Sequence, residues 1–122
     1  DSICEMRNLL ESSATKYEGF IENRVGYNFP SSYIHTTLPG LKQSHKYVIG
    51  YLKGDKKTAI HEMCHAMFYC DNSYRKKWTK KWNSLNFTDK RKISKKLTAM
   101  GYSNNVLIDE YQAYSQDFSN LF

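Results

Sequence analysis

The segment DKKTAIHEMCHAMFYC, residues 55–70, carries the clearest structural signal in the chain. Asp55 is a residue type that caps helix N-termini, because its carboxylate can accept a backbone N–H that the first turn leaves unpaired. Beyond it, Ala59, Ile60, Met63, Ala66, Met67 and Tyr69 or Cys70 recur at helical spacing as a broad apolar surface. The spacing predicts a helix from Asp55 to about Cys70. On it, His61 and His65 stand four residues apart, just over one turn, so both imidazoles share a face and can grip one tetrahedral metal ion. Glu62 sits beside them, placed to take a proton from water activated by that ion rather than to ligate it.

Upstream of this helix, KYVIGYLK (46–53) is rich in β-branched and aromatic residues and reads as a strand. Tyr33-Ile34-His35-Thr36-Thr37 reads as another, closed by Pro39-Gly40. Ser2 to about Thr15 shows apolar residues at Ile3, Met6, Leu9, Leu10 and Ala14, a helical period. Downstream, Asp71-Asn72-Ser73 breaks the central helix and can cap the next, in which Tyr74, Trp78, Trp82 and Leu85 recur. Thr88 is the expected cap of a further helix carrying Ile93, Leu97 and Met100, stopped by Gly101. A last helix begins near Asn105 with Leu107, Tyr111, Tyr114, Phe118 and Leu121 on one side. This order implies one α+β domain over residues 1–122, with a small N-terminal sheet and a mostly helical C-terminal half.

A catalytic zinc needs a third protein ligand and one open position. The other histidines, His35 and His45, both lie upstream, which disfavours sites completed by a later His, as in the metzincins. Among the downstream acids, Asp71 and Asp89 sit at helix starts, where capping accounts for them. Glu110 lies within the most regular apolar helix, where an unpaired carboxylate would be costly to bury and a metal would relieve that cost. Glu110 is therefore the expected third ligand.

His61-Glu62-x-x-His65-Ala66 followed by Asp109-Glu110-Tyr111-Gln112-Ala113-Tyr114 resembles a minimal gluzincin, the zinc peptidases that use two His and a later Glu. The element around Glu110 is similar to the lethal-factor-like branch of that clan. The resemblance covers roughly residues 46–118 and implies a zincin-like fold, zinc as cofactor, a protein or peptide substrate, and hydrolysis of the peptide bond with Glu62 as general base. It also implies a strand ahead of the active-site helix that pairs with extended substrate, a place KYVIGYLK fits. By analogy with that branch, Tyr102 is the candidate stabiliser of the oxyanion. Many gluzincins carry an acid four residues after the ligand Glu to orient a metal-binding His; here that position is Tyr114, which implies weaker orientation.

Charge marks a second region. Of the eighteen Lys and Arg residues, ten lie between Arg75 and Lys96 with Asp89 the only acid among them, in a chain of net charge +6. Such a stretch suits an acidic partner or a nucleic acid, or simply forms solvated helix faces. Trp78 and Trp82 read as core anchors, since base stacking would need them exposed among the cations. The three cysteines, Cys4, Cys64 and Cys70, cannot all pair within one molecule, which favours a reducing, intracellular setting. Cys64 reads as inert core. Asn86-Phe87-Thr88 matches a glycosylation acceptor that would matter only in a secreted protein, and the chain opens on Asp1 with no signal-peptide pattern, so location stays open. No apolar run of about 18 residues is present to span a membrane.

Overall fold

A computed structural model describes residues 2–19, 21, 24–34, 42, 44–117 and 121–122, with side chains from Leu10 onward. Five α-helices and two strands follow in the order α1 (Ser2–Glu18), β1 (Gly26–Pro30), β2 (Tyr47–Tyr51), α2 (Lys56–Cys70), α3 (Asn72–Ser84), α4 (Phe87–Ala99) and α5 (Leu107–Gln116), an α+β arrangement. No described helix is long and apolar enough to cross a membrane.

Local chemistry accounts for most helix ends. The Asp55 side chain accepts from Thr58 N–H at the start of α2, and Asp71 accepts from Tyr74 N–H at the start of α3. α4 begins one residue before Thr88: its cap is Asn86, whose side chain accepts from Asp89 N–H, so the expected Thr88 cap is corrected. Asn is at least as good a cap as Thr and comes first in the chain. Gly101 then takes φ +107°, a left-handed conformation that ends α4 where the sequence expected it.

The sheet differs from expectation in one strand. β2 falls within KYVIGYLK, but its partner is Gly26–Pro30, a strand the sequence concealed. Tyr33 closes a short 3₁₀ turn instead of opening a strand, Ile34 follows in extended conformation, and residues 35–37 and Pro39-Gly40 lie outside the described residues. The strands pair antiparallel with Gly26 opposite Tyr51 and Pro30 opposite Tyr47. Ser31 N–H donates to Lys46 C=O at 3.0 Å, which continues that register. Because hydrogen-bonded pairs alternate along antiparallel strands, Phe29 and Tyr27 face β2, and the backbone groups of Gly26, Asn28 and Pro30 face the other edge. Pro30, with no N–H, is tolerated there.

α1 covers one face of the sheet through Leu10, Ala14, Tyr27 and Phe29, all buried. A second core joins Trp82 of α3, Ile93 and Leu97 of α4, Tyr102 and Val106, with Leu85, Tyr111 and Leu121 packed on it. α5 ends at Gln116, so Leu121 reaches this core from beyond the helix, and Phe118 lies outside the described residues. α2 packs against both strands and against α5.

Candidate metal centre

α2 sits in the fold with its apolar stripe turned outward. Its buried residues are His61, Glu62, Cys64 and His65, while Ile60, Met63 and Met67 are exposed. The cause lies in α5, which presents Asp109, Glu110 and Gln112 to the same interface, all buried. Polar groups from two helices satisfy one another there, which makes their burial tolerable.

His61 Nε2 and His65 Nε2 lie 3.1 Å apart. Glu110, 1% exposed, brings Oε2 to 3.1 Å from His65 Nε2 and Oε1 to 3.4 Å from His61 Nε2. Ligand atoms of these three residues all fall within 4.8 Å of one another. The far side of each ring is held by a carboxylate: Asp117 lies 2.8 Å from His61 Nδ1, and Asp109 lies 2.8 Å from His65 Nδ1. Gln112 Nε2 donates to Asp109 Oδ1 and to Cys64 C=O, both at 3.0 Å, so Asp109 is itself fixed. Each Nδ1 is held by one of these carboxylates, which leaves each Nε2 directed toward Glu110.

Orientation of the imidazoles thus comes from Asp109 and Asp117, which corrects the expectation that Tyr114 takes that role. The Tyr114 ring instead stacks edge-on against His61, centroids 4.4 Å apart, and its hydroxyl lies 2.7 Å from that of Tyr102. Asp109 precedes Glu110 and Asp117 follows it by two turns at the C-cap. Helical spacing around Glu110 could have flagged both, but the rotation of α5 against α2 selects which acid meets which ring.

Protonation follows the same geometry. Burial would lower the His65 pKa, but Asp109 and Glu110 outweigh it and hold the imidazole well above its ordinary value. His61 is raised as well, burial opposing and Glu110 prevailing. Against the upward push of burial, His65 and His61 hold the Glu110 carboxyl well below the usual carboxylate range. Glu62 is raised, chiefly by burial, with both imidazoles opposing.

Glu62 is pressed against β1. A Cβ added at Gly26 would stand 2.5 Å from Glu62 Oε1, so only glycine allows the strand to pass this close. Glu62 Oε2 and Glu110 Oε1 are buried oxygens without a hydrogen-bond partner. A buried acceptor left without a partner marks a place for a cation or a proton donor.

These residues open onto a cleft of about 410 Å³ lined by His61, Glu62, Tyr102, Tyr114, Gly26 and Asn28, among others. Tyr102 is 7% exposed in its wall, and burial raises its phenol pKa. Glu18, at the end of α1, also lines the cleft; Arg24 Nη1 pairs with it and Asn28 Nδ2 donates to it at 3.2 Å. Burial and the neighbouring Glu110 raise the Glu18 pKa. Neither Glu18 nor Asn28 carried a sequence signal. The strand beside the cleft is β1 rather than the expected β2, since β1 supplies Gly26 and Asn28 to its lining.

Of the residues singled out from sequence, His61, Glu62, His65 and Glu110 meet in one cluster, and Tyr102 lines the cleft above it. Cys64 is buried with Sγ 3.5 Å from Gln116 Nε2. Trp78 and Trp82 are buried, with Lys81 over the first ring at 4.3 Å and Lys90 over the second at 5.8 Å. No protein family, curated protein or solved structure matches this chain, so the geometry stands alone.

Proposed function

We propose that this chain is a zincin-like, gluzincin-type metallopeptidase that hydrolyses peptide bonds, with zinc on His61, His65 and Glu110 and Glu62 as general base. One observation carries the reading. Tetrahedral zinc with bonds of about 2.0–2.2 Å places neighbouring ligand atoms about 3.3–3.5 Å apart. His61 Nε2 and His65 Nε2 lie 3.1 Å apart, Glu110 Oε2 lies 3.1 Å from His65 Nε2, and one ligand atom from each residue falls within 4.8 Å of the others, a cluster compact enough for one such ion. Two carboxylates behind the imidazoles are the outer support that metal-binding histidines use. The orphaned Glu110 oxygen suits the donor set.

Zinc at this site would polarise a carbonyl and acidify water. The chain's own residues would do the remainder. Glu62, its carboxylate pKa raised by burial, takes a proton from water in the cleft and passes it to the leaving amine. Tyr102, its phenol kept protonated by burial, donates toward the oxyanion. Gly26 and Asn28 offer backbone groups on the outer edge of β1, where an extended peptide would add as a strand beside Glu62.

Elemental analysis should give one zinc per chain, lost in Glu110→Ala, and Glu62→Gln should keep zinc while peptide cleavage stops. Zinc without any cleavage would leave a degenerate zinc-binding module. A nucleic-acid role for residues 75–96 has support in the exposed Lys76, Lys77, Lys80, Arg91, Lys92 and Lys95, but the buried tryptophans remove a stacking platform.

A further inference from the structure

Nine large hydrophobic side chains are exposed among the described residues, and six of them, Tyr51, Leu52, Ile60, Met63, Met67 and Tyr69, lie on α2 or on the chain leading into it. The other three, Val25, Phe87 and Phe122, are scattered over separate parts of the chain. On α2 the inner face is occupied by the metal cluster, so Ile60 (39% exposed), Met63 (54%) and Met67 (45%) face water. With exposed Lys56 at one end and exposed Cys70 at the other, the stripe advances by steps of four, three, four and three residues. That alternation is the seam along which two helices pack. An apolar stripe this continuous marks an interaction surface.

We propose that α2 is a homodimer contact, packing antiparallel against α2 of a second copy across a two-fold axis near Met63. This proposal is independent of the metal chemistry. Met63 stands at the centre of the stripe, with Ile60 three residues before it and Met67 four after, so an axis there brings apolar groups of both copies together. A two-fold contact requires such self-complementarity. Charge favours the antiparallel arrangement. It sets Lys56 beside Asp71 of the partner subunit at both ends of the seam and opposes the two helix dipoles. A parallel pair would set lysine against lysine and aspartate against aspartate.

Light scattering on the full chain across a concentration series tests this. Wild type should show twice the chain mass. Met63→Glu, which puts two carboxylates at the axis, should weaken association on the order of 100-fold with unchanged circular dichroism. Met63→Leu should remain dimeric. For orientation, Met63→Cys in a Cys70→Ser background should cross-link to its own copy under mild oxidation. Met67→Cys in the same background should not, because antiparallel helices would separate the two thiols by about 12 Å, beyond disulfide reach. A wild-type monomer throughout, a dimer indifferent to Met63→Glu, or equal cross-linking at both positions would each overturn the proposal. So would a monomer that floats with phosphatidylserine vesicles through the same stripe.

Discussion

α2 and α5, with its C-cap, bury His61, Glu62, His65, Asp109, Glu110 and Asp117 against one another, whereas α3 and α4 bury Trp78, Trp82, Ile93 and Leu97 and carry ten Lys and Arg residues at exposed or half-buried positions. In α3 and α4 hydrophobic periodicity identifies the buried face, because water solvates the cations and the core takes the rest. In α2 it identifies the wrong face. A set of acids and imidazoles, most of them paired across the two helices, outweighs the apolar stripe and turns it outward. Such an inversion is stable only if the buried charges are matched, so removing one partner should cost far more here than in the basic helices.

The sharpest break in this comparison is chemical. Glu62→Gln preserves size and one acceptor but cannot take a proton. Cleavage of a generic peptide mixture should fall about 10²–10⁴-fold, while elemental analysis still finds zinc. Cleavage surviving at wild-type rate would remove Glu62 from its role. Next come the supporting acids: Asp117→Asn and Asp109→Asn should each weaken zinc binding about 10–100-fold in a chelator competition. Tyr114→Phe keeps the ring against His61 and should change zinc affinity much less. Equal effects from Tyr114 and Asp117 would restore the role that the gluzincin resemblance implied for the tyrosine.

His61, Glu62 and His65 were legible because one helical turn fixes their relation whatever the tertiary structure. Glu110 was legible because a lone carboxylate in an apolar helix needs an explanation. Asp109 and Asp117 were not, since both are ordinary helix-end acids until α5 is rotated against α2. β1 was hidden for a local reason: Gly-Tyr-Asn-Phe-Pro is poor in strand formers, and its Gly is demanded by Glu62 and its Pro is permitted by an edge. The outward turn of Ile60, Met63 and Met67 is the largest departure, because no helix reads its own packing partner.

A pH series sharpens the comparison from the buried side. In the metal-free protein His61 and His65 have raised pKa values, as do Glu62, Asp109 and Glu18. The folded state therefore binds more protons than the unfolded chain, and stability falls as pH rises through these folded values. Glu110, held low, has the opposite sign and acts only at acid pH. Zinc must displace the imidazole protons, so its affinity rises with pH. Between about pH 6 and 8 the melting temperature of metal-free protein should fall while the increment added by zinc grows. A constant increment would mean that the imidazoles are already unprotonated across that range.

The smallest effect belongs to the basic helices. Lys76, Lys80, Lys92 and Lys95 are exposed. Replacing all four with Gln should change stability by no more than about 0.5 kcal/mol per site. Cleavage of a short uncharged peptide should keep its rate, because at physiological salt exposed charges are screened beyond about 8 Å. If the basic faces deliver the proposed peptidase to an acidic protein, the same variant should lose efficiency on that substrate alone, and added salt should erase the difference from wild type. If they bind nucleic acid instead, affinity should fall steeply with salt, drop in the variant, and persist after chelation of zinc. A variant that lost zinc or uncharged-peptide cleavage would show that α3 and α4 are coupled to the His61–His65–Glu110 cluster, and the contrast between the two helix pairs would fail.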